Sequence, residues 1–373
     1  MKLFSIFVSI QNQKYRNMKT RQLKYVTVFT APIVSLLAFY GHGWYTWSLV
    51  IYAFVMIPLG DSFGKQSKAN MSEAEEEMAL NDKYYDWLLY SLVPLQYIFL
   101  FIFFQQVKEP GLSSFEIWGR VITMGIGCGV IGINLAHELG HRINGYERFM
   151  SKALLLTTLY MHFFIEHNRG HHKNVSTEKD PASADKGEIV YFFWIKSIVF
   201  SYISAWHLEA EKLKKNGHSF LSVHNEMIRF QLIQLAFLSL IYFVFGLMPL
   251  LYFLVASLIG ILLLETINYV EHYGLRRKKT GPDTYEKVLP VHSWNSNHPV
   301  GRIVLFELTR HSDHHYKASR KYQILRHFEE APQMPLGYPA MVLMALVPPL
   351  WFSVMHKQID EYRRQLPEGS ALA

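Results

Sequence analysis

Histidines at helical spacings are the residues of this chain with the most recognisable chemistry. The sequence has 18 histidines, and all of them except His42 lie between His137 and His356. Residues three or four apart on an α-helix lie on the same face, so histidines at such spacings present their imidazoles together. Eight histidines form three clusters of this kind: His137 and His141; His167, His171 and His172; and His311, His314 and His315.

This supply of imidazoles predicts metal binding. Imidazole nitrogens are ligands for zinc, copper, iron and nickel. The clustered histidines, together with His272, exceed what one ion can use, so two ions are expected. The single cysteine, Cys128, excludes an intramolecular disulfide, a cysteine-type zinc site and an iron–sulfur cluster. The residues predicted to hold ligand imidazoles in place are Glu138, Glu166, Asp180, Glu271, His292, His298 and Asp313.

One local motif allows a different interpretation. The segment from His137 to His141 matches the H-E-x-x-H signature of zinc metalloproteases, in which Glu138 would act as the general base. A protease of this kind needs one further ligand, whereas this chain offers seven more clustered or neighbouring histidines. The motif therefore remains an alternative to a larger histidine centre.

The elements that carry these histidines are predicted to cross a membrane. Trp87–Val107 has 21 residues without a charge, which at about 1.5 Å per residue matches a bilayer core of about 30 Å. Tyr25–Gly60 and Phe230–Leu264 have 36 and 35 uncharged residues, and each has a glycine-containing break near its middle. With a further span over Phe115–His137, the sequence predicts an all-α polytopic membrane protein with six transmembrane helices.

The basic residues predict the orientation of these spans. The first 24 residues hold six Lys or Arg and no acid, and the three hairpin tips hold only Lys108. The net charge is +7. Because cytoplasmic loops carry the excess of Lys and Arg, both termini and all the histidine clusters are predicted on the cytoplasmic side. We expect a basic cytoplasmic segment over 1–24 and one integral-membrane domain over 25–373.

Three apolar segments are predicted to lie at the membrane surface and not to cross it. Ile189–Trp206 carries a central lysine among many aromatic residues, which is typical of an interfacial helix. Ala153–Ile165 is too short to span and is interpreted as a re-entrant or interfacial helix. Leu336–Met355 contains three prolines and is expected to dip into the interface.

The histidine clusters resemble those of the membrane non-haem di-iron hydroxylases and desaturases, and are most similar to bacterial alkane 1-monooxygenases. The resemblance covers about residues 20 to 355. Departures beside the clusters, at Arg142, Thr309, Tyr316 and Ala318, remove no ligand and bear on chain-length preference. The segments that carry it are 134–141, 162–172 with 180–183, the Asn-Tyr-Val-Glu-His-Tyr-Gly run at 268–274, 292–298 and 310–315.

The resemblance implies an enzyme that hydroxylates the terminal methyl of linear alkanes with O2. It implies an inner-membrane location and electrons from a rubredoxin, which is a separate protein because a fused one needs four cysteines. A related di-iron fatty-acyl desaturase or hydroxylase is the alternative, and no nucleic acid is expected as a partner. The implied ligands of two iron ions are His137, His141, His167, His171, His172, His272, His311, His314 and His315.

Two further groups of residues follow from this interpretation. The apolar walls of the spans are expected to form a substrate channel, with Tyr52, Leu135 and Leu264 as candidate lining residues. Basic residues crowd the third cluster, and these are predicted to dock the acidic electron carrier: Arg310, Arg320, Lys321 and Arg326.

Overall fold

The chain folds into helices joined by short loops. The computed structural model describes residue 19 and residues 21–365, so most of the predicted basic segment at 1–24 lies outside the described residues. The helices are α1 (Arg21–Tyr40), α2 (Gly43–Phe63), α3 (Glu73–Asn81), α4 (Lys83–Gln106), α5 (Ser114–Gly140), α6 (Gly145–Leu156), α7 (163–174), α8 (Val190–Lys215), α9 (Glu226–Phe245), α10 (Leu247–His272), α11 (Pro299–Val304), α12 (His311–Tyr316), α13 (Tyr338–Ala345) and α14 (Pro348–Gln365). No strand occurs among the described residues.

Six of the described helices are long and apolar enough to cross a membrane, which confirms the predicted number of spans. They are α1, α2, α4, α5, α9 and α10. The hairpins turn where the sequence predicted, at glycines with positive φ: Gly43 (57°) between α1 and α2, and Gly246 (94°) between α9 and α10. A capping box between Ser113 and Glu116 begins α5 after the loop that joins it to α4.

Helices α5 and α10 cross in close contact because small residues face each other. A Cβ atom at Gly260 would lie 2.7 Å from the Cβ of Cys128, and one at Gly125 would lie 2.6 Å from a methyl carbon of Ile259. Small residues at such crossings let two membrane helices approach closely. Both helices end in histidine-bearing turns, so this crossing sets the distance between His137 and His272.

The three apolar segments that were predicted not to span behave differently from one another. Apart from its first residue, the segment Ile189–Trp206 falls within α8, which is not among the six candidate spans. The prediction of one helix over Ala153–Ile165 is wrong: α6 ends at Leu156, and the chain turns before α7 with Leu159 at φ 54°.

The C-terminal apolar segment 336–355 forms α13 and the start of α14. Its residues Tyr338, Met341 and Trp351 are buried in a second core with Tyr269 and Tyr273 from the end of α10. This segment therefore packs behind the histidine-bearing end of α10, and its contact with the membrane interface stays a prediction.

Candidate metal centre

The structure brings all nine proposed ligands together in two adjacent sets of imidazoles. Within each set the candidate ligand atoms lie within 4.8 Å of one another. The five-histidine set consists of His137, His141, His167, His172 and His314, and the four-histidine set consists of His171, His272, His311 and His315.

In the five-histidine set the Nε2 atoms point at a common centre. The Nε2 of His314 lies 2.8 Å from that of His137 and 3.1 Å from that of His172. The Nε2 of His167 lies 3.1 Å from that of His141 and 3.0 Å from that of His172. Five imidazole nitrogens from α5, α7 and α12 therefore surround one point.

The four-histidine set has the same geometry. The Nε2 of His315 lies 3.2 Å from that of His171 and 2.9 Å from that of His311. The Nε2 of His311 lies 3.2 Å from that of His272. Helices α7, α10 and α12 supply these four side chains.

The distances between neighbouring Nε2 atoms fit metal coordination with ligands at right angles. For a metal–nitrogen distance of about 2.1 Å, two ligand nitrogens at a right angle lie about 3.0 Å apart, and two at the tetrahedral angle lie about 3.4 Å apart. The neighbouring Nε2 atoms of both sets are 2.8 to 3.2 Å apart. The donor atoms therefore fit ions that take ligands at right angles better than a tetrahedral ion.

The second cluster is divided between the two sets by a π-helical turn. His167–His171 is π-helical, and the amide of His172 donates to the carbonyl oxygen of His167, five residues earlier. A π-turn aligns residues i and i+5, whereas an α-turn aligns residues i and i+4. His167 and His172 thus share one set and His171 faces the other, so the expectation that His167 and His171 share a face is wrong.

Burial keeps most of these imidazoles neutral. His167, His171, His311, His314 and His315 are each at most 5 % exposed. Burial and neighbouring positive groups lower the pKa of His141 to about 3, and burial likewise holds the pKa of His167, His311 and His314 well below the usual value. Neutral imidazoles are the metal-binding form, so the sets are prepared for cations.

His171 is the exception among the buried ligands. Its Nδ1 lies 3.0 Å from an oxygen of Asp180, which is itself buried and accepts a hydrogen bond from Ser183. Burial acts to lower the pKa of His171, but the Asp180 carboxylate outweighs it and leaves the pKa raised. Asp180 therefore contacts the imidazole of His171, and its role in orienting that candidate ligand stays a prediction.

Glu271 also lies at the four-histidine set. One carboxylate oxygen is 3.2 Å from the Nε2 of His311, and the other accepts a hydrogen bond of 2.8 Å from the Tyr338 hydroxyl. Glu271 thus contacts His311 and Tyr338 at the edge of the four-histidine set, whose mutually close candidate ligand atoms are the four imidazole nitrogens. Tyr338 was missed by the sequence, because it is distant in the chain and only the packing of α13 brings it here.

The other predicted supporting carboxylates have partners other than ligand imidazoles. Glu138 lies 2.7 Å from Arg142 and accepts a hydrogen bond from the backbone of Tyr322. This geometry does not suit a general base at the metal. Asp313 is bound by Arg326 and Arg320.

Glu166 is buried near the sets, and one of its oxygens lacks a hydrogen-bond partner among the described residues. Burial and the neighbouring Asp180 raise its pKa to about 8. Glu166 therefore lies directly before His167 as a buried carboxyl group that contacts none of the candidate ligand imidazoles within hydrogen-bonding distance among the described residues.

The two intermediate histidines do not reach the metal centre through their side chains. His292 Nε2 lies 3.1 Å from Glu286, and its Nδ1 accepts a hydrogen bond from the amide of Leu289. His298 contacts Gln66 and Ser296. Their prediction as residues that hold the ligands is therefore wrong for the side chains, since both stabilise the loop before α11.

The basic residues predicted to dock an electron carrier are largely engaged inside the protein. Arg310 is 4 % exposed, and Arg320 binds Glu76 and Asp313 with only 9 % of its side chain exposed. Lys321 pairs with Asp86 and Arg326 with Asp313, but 24 % and 30 % of their side chains stay exposed. Arg310 and Arg320 are too deeply buried to contact a docked protein, whereas Lys321 and Arg326 keep some access.

Two neighbouring apolar cavities lie between the spans and the imidazoles. The outer part lies among α1, α2, α5 and α10 and includes Tyr52. The inner part includes Leu264 and reaches three candidate ligand side chains, His137, His167 and His311. The two parts share a junction that sequence patterns did not reveal: Val130, Leu263, Ile267 and Leu305. The third predicted channel residue, Leu135, is fully buried in the core and lines neither part.

Comparison with known proteins agrees with this site. Residues 114–356 match the model of the fatty acid desaturase family. The chain is 40 % identical over 314 residues to an alkane 1-monooxygenase of Acinetobacter baylyi, which covers 83 % of this chain and 76 % of that protein. It is 39 % identical over 326 residues to alkane 1-monooxygenase 1 of Pseudomonas aeruginosa, with 85 % and 84 % covered.

A more distant relative is the xylene/toluene monooxygenase hydroxylase component of Pseudomonas putida, 29 % identical over 252 residues, with 68 % of this chain and 66 % of that protein covered. The matched region contains all nine histidines of the two sets and most of the cavity that reaches them. The chain belongs to the fatty acid desaturase family and, within it, to the alkane 1-monooxygenases.

Proposed function

We propose that this protein hydroxylates the terminal methyl group of linear alkanes. In this reaction one oxygen atom of O2 enters a C–H bond to give a 1-alcohol, and the other leaves as water after uptake of two electrons and two protons. The observation that carries the proposal is the pair of adjoining apolar cavities, of which the outer lies among the membrane spans and the inner reaches His137, His167 and His311. An alkane has no polar group to bind, so a dry, apolar path is the feature that its recognition needs.

We propose two iron ions as the cofactors, one at each histidine set. The donor set supports this assignment, because imidazoles without thiolates suit iron, and the nitrogen spacing suits right-angle coordination. When bound, the irons would supply the activation of O2. Glu271 is proposed as a further ligand at the four-histidine set, which has one imidazole fewer.

The protein's own residues would position the substrate and exclude water. Val130, Leu263, Ile267 and Leu305 narrow the path where the outer and inner cavities meet. A linear chain that enters from the spans must advance with one end first, so its methyl group reaches the imidazoles before any methylene does. This positioning is needed because methylene C–H bonds are weaker than methyl C–H bonds and would otherwise react first.

We propose that electrons come from a separate rubredoxin, with its reductase, on the cytoplasmic side of the bacterial inner membrane. His141 and His172 of the five-histidine set are the half-exposed ligands, so electrons have the shortest path from solvent there. Exposed Lys173 lies near the end of α7 and exposed Lys317 directly follows α12, and with Lys321 and Arg326 they would meet an acidic partner.

The alternatives predict different products and metals. A fatty-acyl desaturase would release an unsaturated acyl chain instead of an alcohol. A zinc protease would need Glu138 at the metal, whereas Glu138 pairs with Arg142. An apolar path would accept an acyl chain as well as an alkane, so the similarity to alkane 1-monooxygenases is what favours hydroxylation over desaturation.

The test uses purified full-length protein with reduced rubredoxin, its reductase, O2 and linear alkanes of graded length. We expect 1-alcohols and iron in a ratio of about two per chain. The variant His311→Ala should form no 1-alcohol and should contain less iron per chain than the wild type. His218→Ala, an exposed histidine stacked on His224, is the matched control and should behave as the wild type. A lack of 1-alcohols from protein that holds its full iron would contradict the proposal.

A further inference from the structure

A polar cavity of about 460 Å³ lies at the end of α1 that is nearest the metal centre, apart from the apolar cavity. It is lined by four cations and a single carboxylate. Arg21 and Lys24 come from α1, Arg302 from α11, and Arg310 from the residue before α12, while Glu307 is the only acid in the lining. The cavity thus has a strong excess of positive charge.

Glu307 cannot balance this charge by itself. Its carboxylate already accepts from Lys24 Nζ at 2.6 Å and from the Tyr25 hydroxyl at 2.7 Å, and it pairs with Arg302 at 2.6 Å. A second acid, Glu75, lies outside the lining at 3.5 Å from Arg21. Two carboxylates thus face four cations, which leaves an excess positive charge of two, and Arg310 is the cation of the lining for which no carboxylate contact is seen among the described residues.

The excess positive charge is most costly at Arg310, because only 4 % of the surface of this residue reaches solvent. Its guanidinium donates to the carbonyl oxygens of Leu325, Ser67 and Ala69, which are all neutral. Its Nε–H is buried and has no hydrogen-bond partner among the described residues. A buried charge that is paired with neither an opposite charge nor a full set of hydrogen bonds is costly.

We propose that this cavity binds a phosphate group, either from the headgroup of an anionic phospholipid or as free inorganic phosphate. Guanidinium groups bind phosphate oxygens with paired hydrogen bonds, and Arg21, Arg302 and Arg310 surround the space. The cavity opens at the end of a membrane-spanning helix, where basic residues meet anionic lipid headgroups.

Such a phosphate would join parts of the chain that are far apart in sequence. The cavity is formed by α1, the loop at 64–72, α11 and the segment before α12. Arg310 directly precedes His311 of the four-histidine set. Phosphate binding is therefore expected to stabilise the part of the protein around α11, α12 and the four-histidine set against unfolding.

The experiment measures the midpoint temperature of unfolding of the full-length protein. One arm uses nanodiscs of phosphatidylcholine with increasing phosphatidylglycerol, and the other uses detergent with increasing inorganic phosphate. The test variants are Arg21→Gln and Arg302→Gln. The matched control is Lys68→Gln, which removes an exposed charge from the same loop region, where Lys68 pairs only with exposed Glu329.

We expect a saturable rise in the midpoint with one of the two additives, an apparent affinity about tenfold weaker in both test variants, and no change in the control. A response to phosphatidylglycerol alone assigns the site to lipid, and a response to inorganic phosphate assigns it to the free ion. If neither additive stabilises the protein, or if all variants respond equally, the proposal is overturned. Should Arg302→Gln fail to fold, Arg21→Gln decides, because a third of its side chain is exposed.

Discussion

The two histidine sets present similar arrangements of imidazole nitrogens in different surroundings. The five-histidine set includes the half-exposed His141 and His172, and its ligands come without a carboxylate contact to an imidazole among the described residues. The four-histidine set is buried throughout, and Asp180 and Glu271 contact two of its imidazoles. The set with fewer imidazoles is thus the one with more carboxylates.

This difference suggests a division of labour. The five-histidine set has two partly exposed imidazoles, where we propose that electrons enter, and in the buried four-histidine set the carboxylates of Asp180 and Glu271 would help to hold a metal ion away from water. The apolar cavity touches both, through His137 and His167 on one side and His311 on the other. The two sets are therefore expected to differ in their tolerance of ligand loss, in their dependence on carboxylates and in their access to solvent.

The largest effect is expected from the removal of one ligand from each set. His315→Ala leaves three imidazoles in its set, so bound iron should fall to about one per chain and activity by more than about 100-fold. His172→Ala leaves four imidazoles and should keep iron closer to two per chain with a smaller loss. Metal analysis and alcohol formation measure both, with His218→Ala as the control, and an equal loss in the two variants would argue against the difference.

The loss of carboxylate support should affect only the four-histidine set. In Asp180→Asn the His171 imidazole loses its charged partner, and we expect iron affinity and turnover to fall about 10- to 100-fold. Glu178→Gln is the control, since Glu178 is an exposed neighbour that pairs with Lys279. Iron content that does not change in Asp180→Asn would show that the pair is not needed for metal binding.

A narrower cavity junction should change which alkanes react. Leu263→Phe adds volume where the outer and inner parts meet, so kcat/KM for longer relative to shorter alkanes should fall about tenfold. Leu135→Met alters a buried residue of the same hydrophobic core outside both parts, and should keep the wild-type preference. Competition between alkanes of different length gives the ratio directly, and an unchanged ratio in Leu263→Phe would place the substrate path elsewhere.

Metal loading of the apo-protein should depend on pH at one set only. Because the Asp180 carboxylate leaves the pKa of His171 raised, this imidazole binds a proton that competes with the metal at low pH. Loading of the four-histidine set should therefore strengthen as the pH rises through that pKa. The lowered pKa values of His141 and His314 leave loading of the five-histidine set nearly constant between about pH 6 and 8. Titration calorimetry with and without Asp180→Asn separates the two contributions.

The smallest effect is expected at the basic residues near α12. Arg326→Gln should raise the KM for reduced rubredoxin a few-fold, and the effect should shrink at high salt, because this side chain is partly exposed. Arg320→Gln should instead lower the unfolding temperature without a salt-dependent change in KM, since Arg320 is enclosed by Glu76 and Asp313. The same salt dependence in both variants would contradict this distinction.

Much of this architecture is accessible from the amino-acid sequence because a bilayer imposes strict rules. Long uncharged runs must form helices that satisfy their own backbone, and the glycines at 43 and 246 break two of these runs where the helices end. Histidines at α-helical spacing are expected to share a face, and His137 and His141 do fall in one set, whereas His311 and His314, three residues apart on α12, fall in different sets. The positions of the six spans and of the nine converging histidines follow from such local rules.

Other features depended on contacts between distant parts of the chain. A π-turn, which no spacing rule signals, sends His171 to the other set from His167 and His172. The basic residues near α12 look available in the sequence, yet Arg310 and Arg320 are enclosed by partners from the 67–76 region. The path of the cavity likewise depends on how closely α5 and α10 cross. Local periodicity determines which side chains lie on one face of a helix, but the packing of the helices decides which side chains come into contact. The candidate metal centre consists of such contacts between distant segments.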